Sequence, residues 1–174
     1  MALQVSLQTF KRSDDGATAV EFALIAPVLA FMFIAILEVS MMFFASVNLD
    51  SAAIDAARRI RTGQAQSTGT PEADFVSALC SKLDSIITCG NVFYDARQVN
   101  SYSAISPTVS YDPTTGEPVT YGFSVGGSGD IVVVRAMYLW HFNTPSIGMF
   151  FETVAGSNNR LLASTVVFQN EPYE

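Results

Sequence analysis

The sequence predicts an α+β protein with a long N-terminal transmembrane helix, a second helix and an antiparallel β-sheet body. Three observations predict it. An apolar run begins at Phe22 and ends near Val47, carries no charge from Phe22 to Leu37, and is interrupted only by Glu38. A threonine and proline, Thr70-Pro71, open a second helical pattern. Beyond Gly90 the chain turns to short β-prone runs separated by turn residues. Helices followed by strands, rather than alternating with them, describe an α+β body. A length of 174 residues suits one membrane segment and one modest domain, not two full domains.

Residues 1–16 read as a short polar leader without periodicity, ending Asp14-Asp15-Gly16. From Ala17 to about Thr62 nothing breaks a helix except Pro27, which removes one backbone bond and is expected to bend it. About 20 helical residues cross a bilayer core, so Ala17 to Leu37 or Phe22 to Met42 suffices. We set the transmembrane part at 17–47 and the folded domain at 48–174. A cleaved secretory signal would have an apolar core of about 7–15 residues and an Ala-x-Ala-like site. This run is longer, and no such site stands at its end. Past the membrane, Leu49, Ala53, Ala56 and Ile60 recur at helical spacing, with Asp50, Asp55, Arg58 and Arg59 mostly off that stripe. The helix is therefore apolar all round at first and on one face later. It leaves lipid and packs against a body. Gly63 is the natural C-terminal cap, giving a helix roughly 65–70 Å long.

Gln64 to Gly69 is a polar link. The second helix starts at Thr70-Pro71, a cap and a first-turn proline, with Glu72 and Asp74 at its positive end. Phe75, Leu79 and Leu83 form its buried face. Strands follow near Val92–Val99, Ser103–Tyr111, Val119–Val125, Ile131–Phe142 and Leu161–Gln169, with hairpin turns at Asp112–Gly116 and Gly126–Gly129. The connection from Thr144 to Asn159 has room for a helical turn around Ser146–Val154.

Charge excludes one class of partner. A formal net charge of −7 argues against nucleic acid, which needs clustered Lys and Arg. The one basic cluster, Arg58, Arg59 and Arg61, reads as a solvated helix end whose cations complement the carbonyl dipole. Nothing in the sequence looks catalytic, and no cofactor or metal set is evident. His141 stands alone beside Trp140 and reads as a packing or surface residue. Asp112 and Glu117 flank a turn without the further oxygens calcium requires, and the turn explains them. The glycines at 126–129 lack the Lys and Ser/Thr of a phosphate loop.

The informative stretch is Gly16-Ala-Thr-Ala-Val-Glu21-Phe22, set directly against the apolar run. A lone carboxylate at the edge of a membrane segment needs a reason, because a charge in hydrocarbon costs several kcal/mol. The arrangement resembles the processing site of type IV pilin-like subunits, especially Flp pilins and the TadE-like minor pilins, or pseudopilins, of tight-adherence machines. Similar to that family are Gly-Ala-Thr-Ala-Val-Glu-Phe-Ala-Leu-Ile-Ala-Pro (16–27), Asp-Ala-Ala-Arg-Arg-Ile-Arg-Thr-Gly-Gln (55–64), Val-Val-Val-Arg (132–135) with Trp140 nearby, and Phe-Gln-Asn-Glu-Pro-Tyr (168–173). The first motif is the specific one, since glycine and glutamate keep the spacing that processing requires. No long insertion with a metal-dependent adhesion motif is visible, unlike the larger TadG type, and the motifs do not separate TadE from TadF.

The resemblance implies cleavage by prepilin peptidase between Gly16 and Ala17, with Glu21 and Phe22 acting in assembly. The freed Ala17 amine would pair with its own or a neighbour's Glu21, a buried charge made tolerable by its partner. Glu38 lies about 25 Å further along the helix, near the opposite interface where an acid reaches water. Charge counting does not orient the segment: Lys11 and Arg12 precede it and three arginines follow. The resemblance does, implying a pilin-like fold in the inner membrane with a periplasmic C-terminal domain, extracellular if it enters the pilus. In an oxidising periplasm Cys80 and Cys89 are expected to pair. In an unbroken helix their Cα atoms would stand about 13 Å apart, twice the disulfide limit, so the helix should end before Ile87. Two thiols and one histidine do not make a structural zinc site.

The expected function is that of a non-enzymatic minor pilin that helps initiate or cap a Flp-type filament, and so serves surface adhesion and biofilm formation. Its expected partners are the inner membrane, prepilin peptidase, other minor pilins, the major Flp pilin and the assembly platform. Two rivals differ in class: a permanently anchored periplasmic binding or sensor domain, and a periplasmic enzyme tethered by its N-terminus. A third is a secreted domain released by signal peptidase. Processing position separates the first and third from a pilin, and a cleft with convergent titratable groups would favour the second.

Overall fold

The computed structural model describes residues 16–83, 85–106 and 108–173. All of the expected leader except Gly16 lies outside them. Helix α1 runs Ala17–Arg61, passing through Pro27. Then come α2 (Gln64–Ser67), α3 (Pro71–Lys82), β1 (Val92–Val99), β2 (Ile131–His141), α4 (Pro145–Phe151) and β3 (Asn159–Gln169). The three strands form one antiparallel sheet in the order β1-β2-β3. The class is α+β and pilin-like, as the pattern predicts. Two compact units divide the chain, residues 1–39 and 40–174.

In the first unit the apolar side chains face outward. Phe22 is 71% exposed, and Leu24, Ile25, Val28 and Leu37 are exposed with it. A helix that buries none of its most apolar 18-residue window is dressed for lipid, and α1 is compatible with single-pass membrane anchoring.

In the second unit the later part of α1 buries Met42, Ala45, Leu49, Ala52, Ala53, Ala56, Ala57 and Ile60. The expected stripe is present and is widened by two alanines. The sheet supplies the other side of this core. Side chains alternate across a strand, so Val132, Val134 and Ala136 share a face with their partners Phe168, Val166 and Ser164. Ser164 bonds Asp50 of α1 through its hydroxyl, and the ring of Tyr94 lies 5.9 Å from Phe75 of α3, which identifies this as the helix-bearing face. Phe75, Leu79, Val132, Val134 and Ala136 are all buried.

Gly63 takes the left-handed conformation, φ 75°, and its amide bonds the Ile60 carbonyl at 3.1 Å, closing α1 as expected. A Cβ there would stand 2.5 Å from Tyr173 Cγ, so the cap also seats the C-terminal segment. The link after it is not wholly irregular: Gln64–Ser67 forms one helical turn, bonded through Ser67 N to Gly63 O. At α3 the Thr70 hydroxyl makes no capping bond. Leu83 stands past the helix end in extended backbone, so the buried face of α3 reduces to Phe75 and Leu79. The helix ends before Ile87, and Cys80 and Cys89 are joined, with Cα atoms 5.5 Å apart.

Three strands match their predicted spans closely. The expected strands at 103–111 and 119–125 do not form. Residues 102–104 make a 3-10 turn, and among the described residues the rest contributes only the single bridges Tyr111 to Pro118 and Ala96 to Phe123. Prolines at 107, 113 and 118 each remove a ladder donor, and Gly122 at φ 86° turns the chain away from strand geometry. Asp112–Gly116 is a tight turn, with Gly116 N bonding Asp112 O at 2.8 Å, but it joins one bridge and not two strands. The Gly126–Gly129 turn leads into β2 and is held by the residue that follows β3, at the same end of the sheet. Asn170 Nδ2 donates to Val125 O at 2.9 Å and to Gly127 O at 2.8 Å. The helical turn expected near 146–154 is α4.

Candidate membrane and assembly site

The N-terminus of α1 carries the sequence-predicted residues. Among the described residues nothing lies within 4 Å of where a Cβ on Gly16 would stand, and Gly16 is exposed. Ala17 is the first residue of the helix and Glu21 lies one turn on, about 6 Å along the axis. The spacing places both on one side of the helix. Glu21 and Phe22 are exposed. The geometry is that of an exposed carboxylate on an otherwise apolar helix, one turn from a residue that processing would leave with an amine.

Glu38 corrects an expectation. It is 8% exposed and not an acid reaching water. The reason is periodicity: 38, 42, 45 and 49 lie along one line of the helix, and Met42, Ala45 and Leu49 are buried.

The arginine cluster is also more specific than a solvated helix end. Arg59 grips Asp74 of α3 with two bonds, Nε to Oδ2 at 2.8 Å and Nη2 to Oδ1 at 2.6 Å. The carboxylate, first by hydrogen bonding and then by its charge, raises the arginine pKa further above its ordinary value. Arg61 Nε meets Glu171 at 3.2 Å, and Lys82 meets Asp55 at 3.2 Å. Together these tie α1 to α3 and to the C-terminal segment. They are half-exposed pairs, worth little individually in water and more as fixers of geometry.

Sequence reading missed one constellation. Asp95 and Arg135 are direct partners in the β1–β2 register and form a two-bonded ion pair, Arg135 Nε to Asp95 Oδ1 at 2.9 Å with Nη2 on Oδ2. Their side chains are 0% and 3% exposed. Tyr121 covers the pair: its amide donates to Asp95 Oδ2 at 3.3 Å, and the Arg135 and Arg97 guanidinium carbons lie 4.9 and 4.8 Å from its ring centroid. An aspartate and an arginine inside two β-rich runs were the available signal. The pair anchors the segment that carries Tyr121 to the sheet.

The remaining polar candidates have local partners. Asp112 Oδ1 accepts from the amides of Thr114 at 2.7 Å and Thr115 at 3.1 Å, and these bonds hold its pKa below the usual aspartate value. His141 Nδ1 lies 2.8 Å from Asn159 Oδ1 across the strand ends. Among the described residues no three of His, Cys, Asp and Glu gather in a metal-holding group.

The family model described as TadE-like protein matches residues 16–58. Over those residues the chain is similar to that family. The TadE-like segment contains all of the first motif and Asp55–Arg58 of the second, while the stretches at 132–135 and 168–173 lie outside it. No curated protein and no solved structure matches the chain significantly. The match covers 43 of the 174 residues, all of them on α1 and the residue before it.

Proposed function

We propose that this chain is a minor pilin, or pseudopilin, of a tight-adherence pilus. It waits in the inner membrane as a substrate of prepilin peptidase and acts by assembly, not catalysis. The observation that carries the reading is the order Gly16, Ala17, Glu21, Phe22 at the start of an exposed apolar helix, within the TadE-like match. Cleavage after Gly16 leaves an ammonium on Ala17, one helical turn from the Glu21 carboxylate. In a bundle of such helices the two charges neutralise each other, on one chain or between neighbours, where either alone would cost several kcal/mol. The body at 40–174 is then presented on the periplasmic side, and the subunit helps start or cap the filament that attaches cells to surfaces.

Intact mass and N-terminal sequencing of the membrane-extracted protein test this directly, with and without the cognate peptidase. A peptidase-dependent start at Ala17 is expected. An intact N-terminus beside active peptidase would sink the reading in favour of a permanent anchor, and a start near Ser46 would mean a released domain.

A further inference from the structure

The two edges of the sheet are finished differently. The outer edge of β1 is covered: Ala96 N donates to Gly122 O at 3.1 Å and Ser124 N to Ala96 O at 2.7 Å. At β3 the even residues face β2, as shown beyond its end by Asn170, which exchanges both its bonds with Asp130 and Gly129. The odd residues therefore aim their N–H and C=O groups outward. Only the start of that edge is occupied, where Thr153 N bonds Asn159 O and Leu161 N bonds Thr153 Oγ1, both at 2.8 Å. Among the described residues no outward bond reaches Ala163, Thr165 or Val167. Edges are usually blunted by a lysine, a proline or a bulge. From Leu161 to Gln169 this one has no charge and no proline, and its register with β2 is unbroken.

Beside the edge is a groove of about 160 Å³ between α1 and β3, lined by Ile54, Ala57, Val166 and Phe168 and rimmed by Arg58 and Arg61. Ile54 is 53% exposed. Arg61 is engaged by Glu171, while Arg58 is exposed. We infer that the open β3 edge is a strand-addition site for an extended segment of a partner protein that bears an aliphatic side chain and a nearby acidic one. The backbone of that segment would bond Ala163, Thr165 and Val167. Every second side chain would turn toward α1, where the groove holds an aliphatic group of about valine or isoleucine size and Arg58 meets the carboxylate. Charge selects the partner over a second copy of this chain, because β3 has no acid to offer Arg58. The inference does not depend on processing at Gly16.

The test is fluorescence anisotropy on the full chain in detergent micelles. The probe is a labelled ten-residue peptide that alternates threonine with valine or isoleucine and carries one aspartate on the aliphatic side. Saturable binding is expected, weakened at least ten-fold by N-methylating alternate peptide amides, by replacing the aspartate with lysine, and by Ile54→Glu. Arg58→Glu should reverse the preference between the aspartate and lysine peptides. The Cys80–Cys89 bond and an unchanged circular dichroism spectrum check that the variants fold. No binding at millimolar peptide, or equal binding by the N-methylated peptide, would overturn strand addition. A wild-type dimer that Ile54→Glu dissociates would overturn the partner in favour of self-pairing.

Discussion

Asp95 and Arg135 occupy facing positions in the middle of the sheet, where a charge without its partner is costly. Removing one member strands the other, at about 3–5 kcal/mol, whereas replacing both by apolar residues of similar volume is far milder. Urea unfolding in mild detergent should therefore find Arg135→Met and Asp95→Asn each destabilised by about that amount, and Asp95→Val with Arg135→Met much less so. Equal losses in the single and double variants would mean that the pair contributes through Tyr121 and not through its charges. Tyr94 offers a quieter reading of the same sheet. Burial, then the bond from its hydroxyl to Glu72 at 3.1 Å, raises its pKa above the ordinary 10.0. A raised pKa means the fold favours the protonated phenol, so this contribution is complete below the ordinary value and fades as pH rises through the folded one. Absorbance at 295 nm should show one tyrosine ionising late, and Tyr94→Phe should remove that phase. What was legible at this scale was linear. Gly16 and Glu21 announce themselves by spacing along one helix, while the pairing of Asp95 with Arg135 depends on a register set forty residues apart.

Elements were legible where one local rule governed them. Helix α1 follows from its long apolar pattern, and β1, β2 and β3 follow from runs of β-branched and aromatic residues without proline. The segment between β1 and β2 was misread because its apolar residues alternate while its prolines and Gly122 deny it a ladder. It is ordered by tertiary contacts instead: Tyr121 over the buried pair, and Phe123 packed 5.4 Å from Phe75. The cap of α1 was predicted for its conformation but not for its second role. Any side chain at Gly63 meets both a left-handed backbone and the Tyr173 ring. Gly63→Ala should cost at least about 1 kcal/mol and loosen the C-terminal segment. Amide exchange would register the change at Glu171, whose N–H bonds Arg61 O at 2.9 Å. If exchange there stays slow, Tyr173 has moved aside and the two roles are separable. The Cys80–Cys89 loop works at the same scale: a closure of about ten residues contributes roughly 2.5–3 kcal/mol in the chain-entropy picture.

For the molecule as a whole the proposed periplasmic placement of residues 40–174 is testable, and the disulfide can report it. Basic residues flank the apolar segment on both sides, so the positive-inside count leaves the orientation open. Compartments differ in redox poise by enough to decide the state of a thiol pair: reducing cytoplasm keeps thiols free, and an oxidising periplasm joins them. Cys80 and Cys89 are at disulfide distance in the fold, and no other cysteine competes for either. Trapping cell thiols with a large maleimide before lysis should therefore leave the protein unlabelled, and two additions should appear in cells lacking the periplasmic thiol oxidase. Labelling at both cysteines in normal cells would place the body in the cytoplasm, and with it would fall the proposal that residues 40–174 are presented on the periplasmic side. The Cys80→Ser and Cys89→Ser double variant separates location from stability. It should keep its membrane association and lose only unfolding free energy, because the apolar stretch of α1 proposed to meet lipid contains neither cysteine.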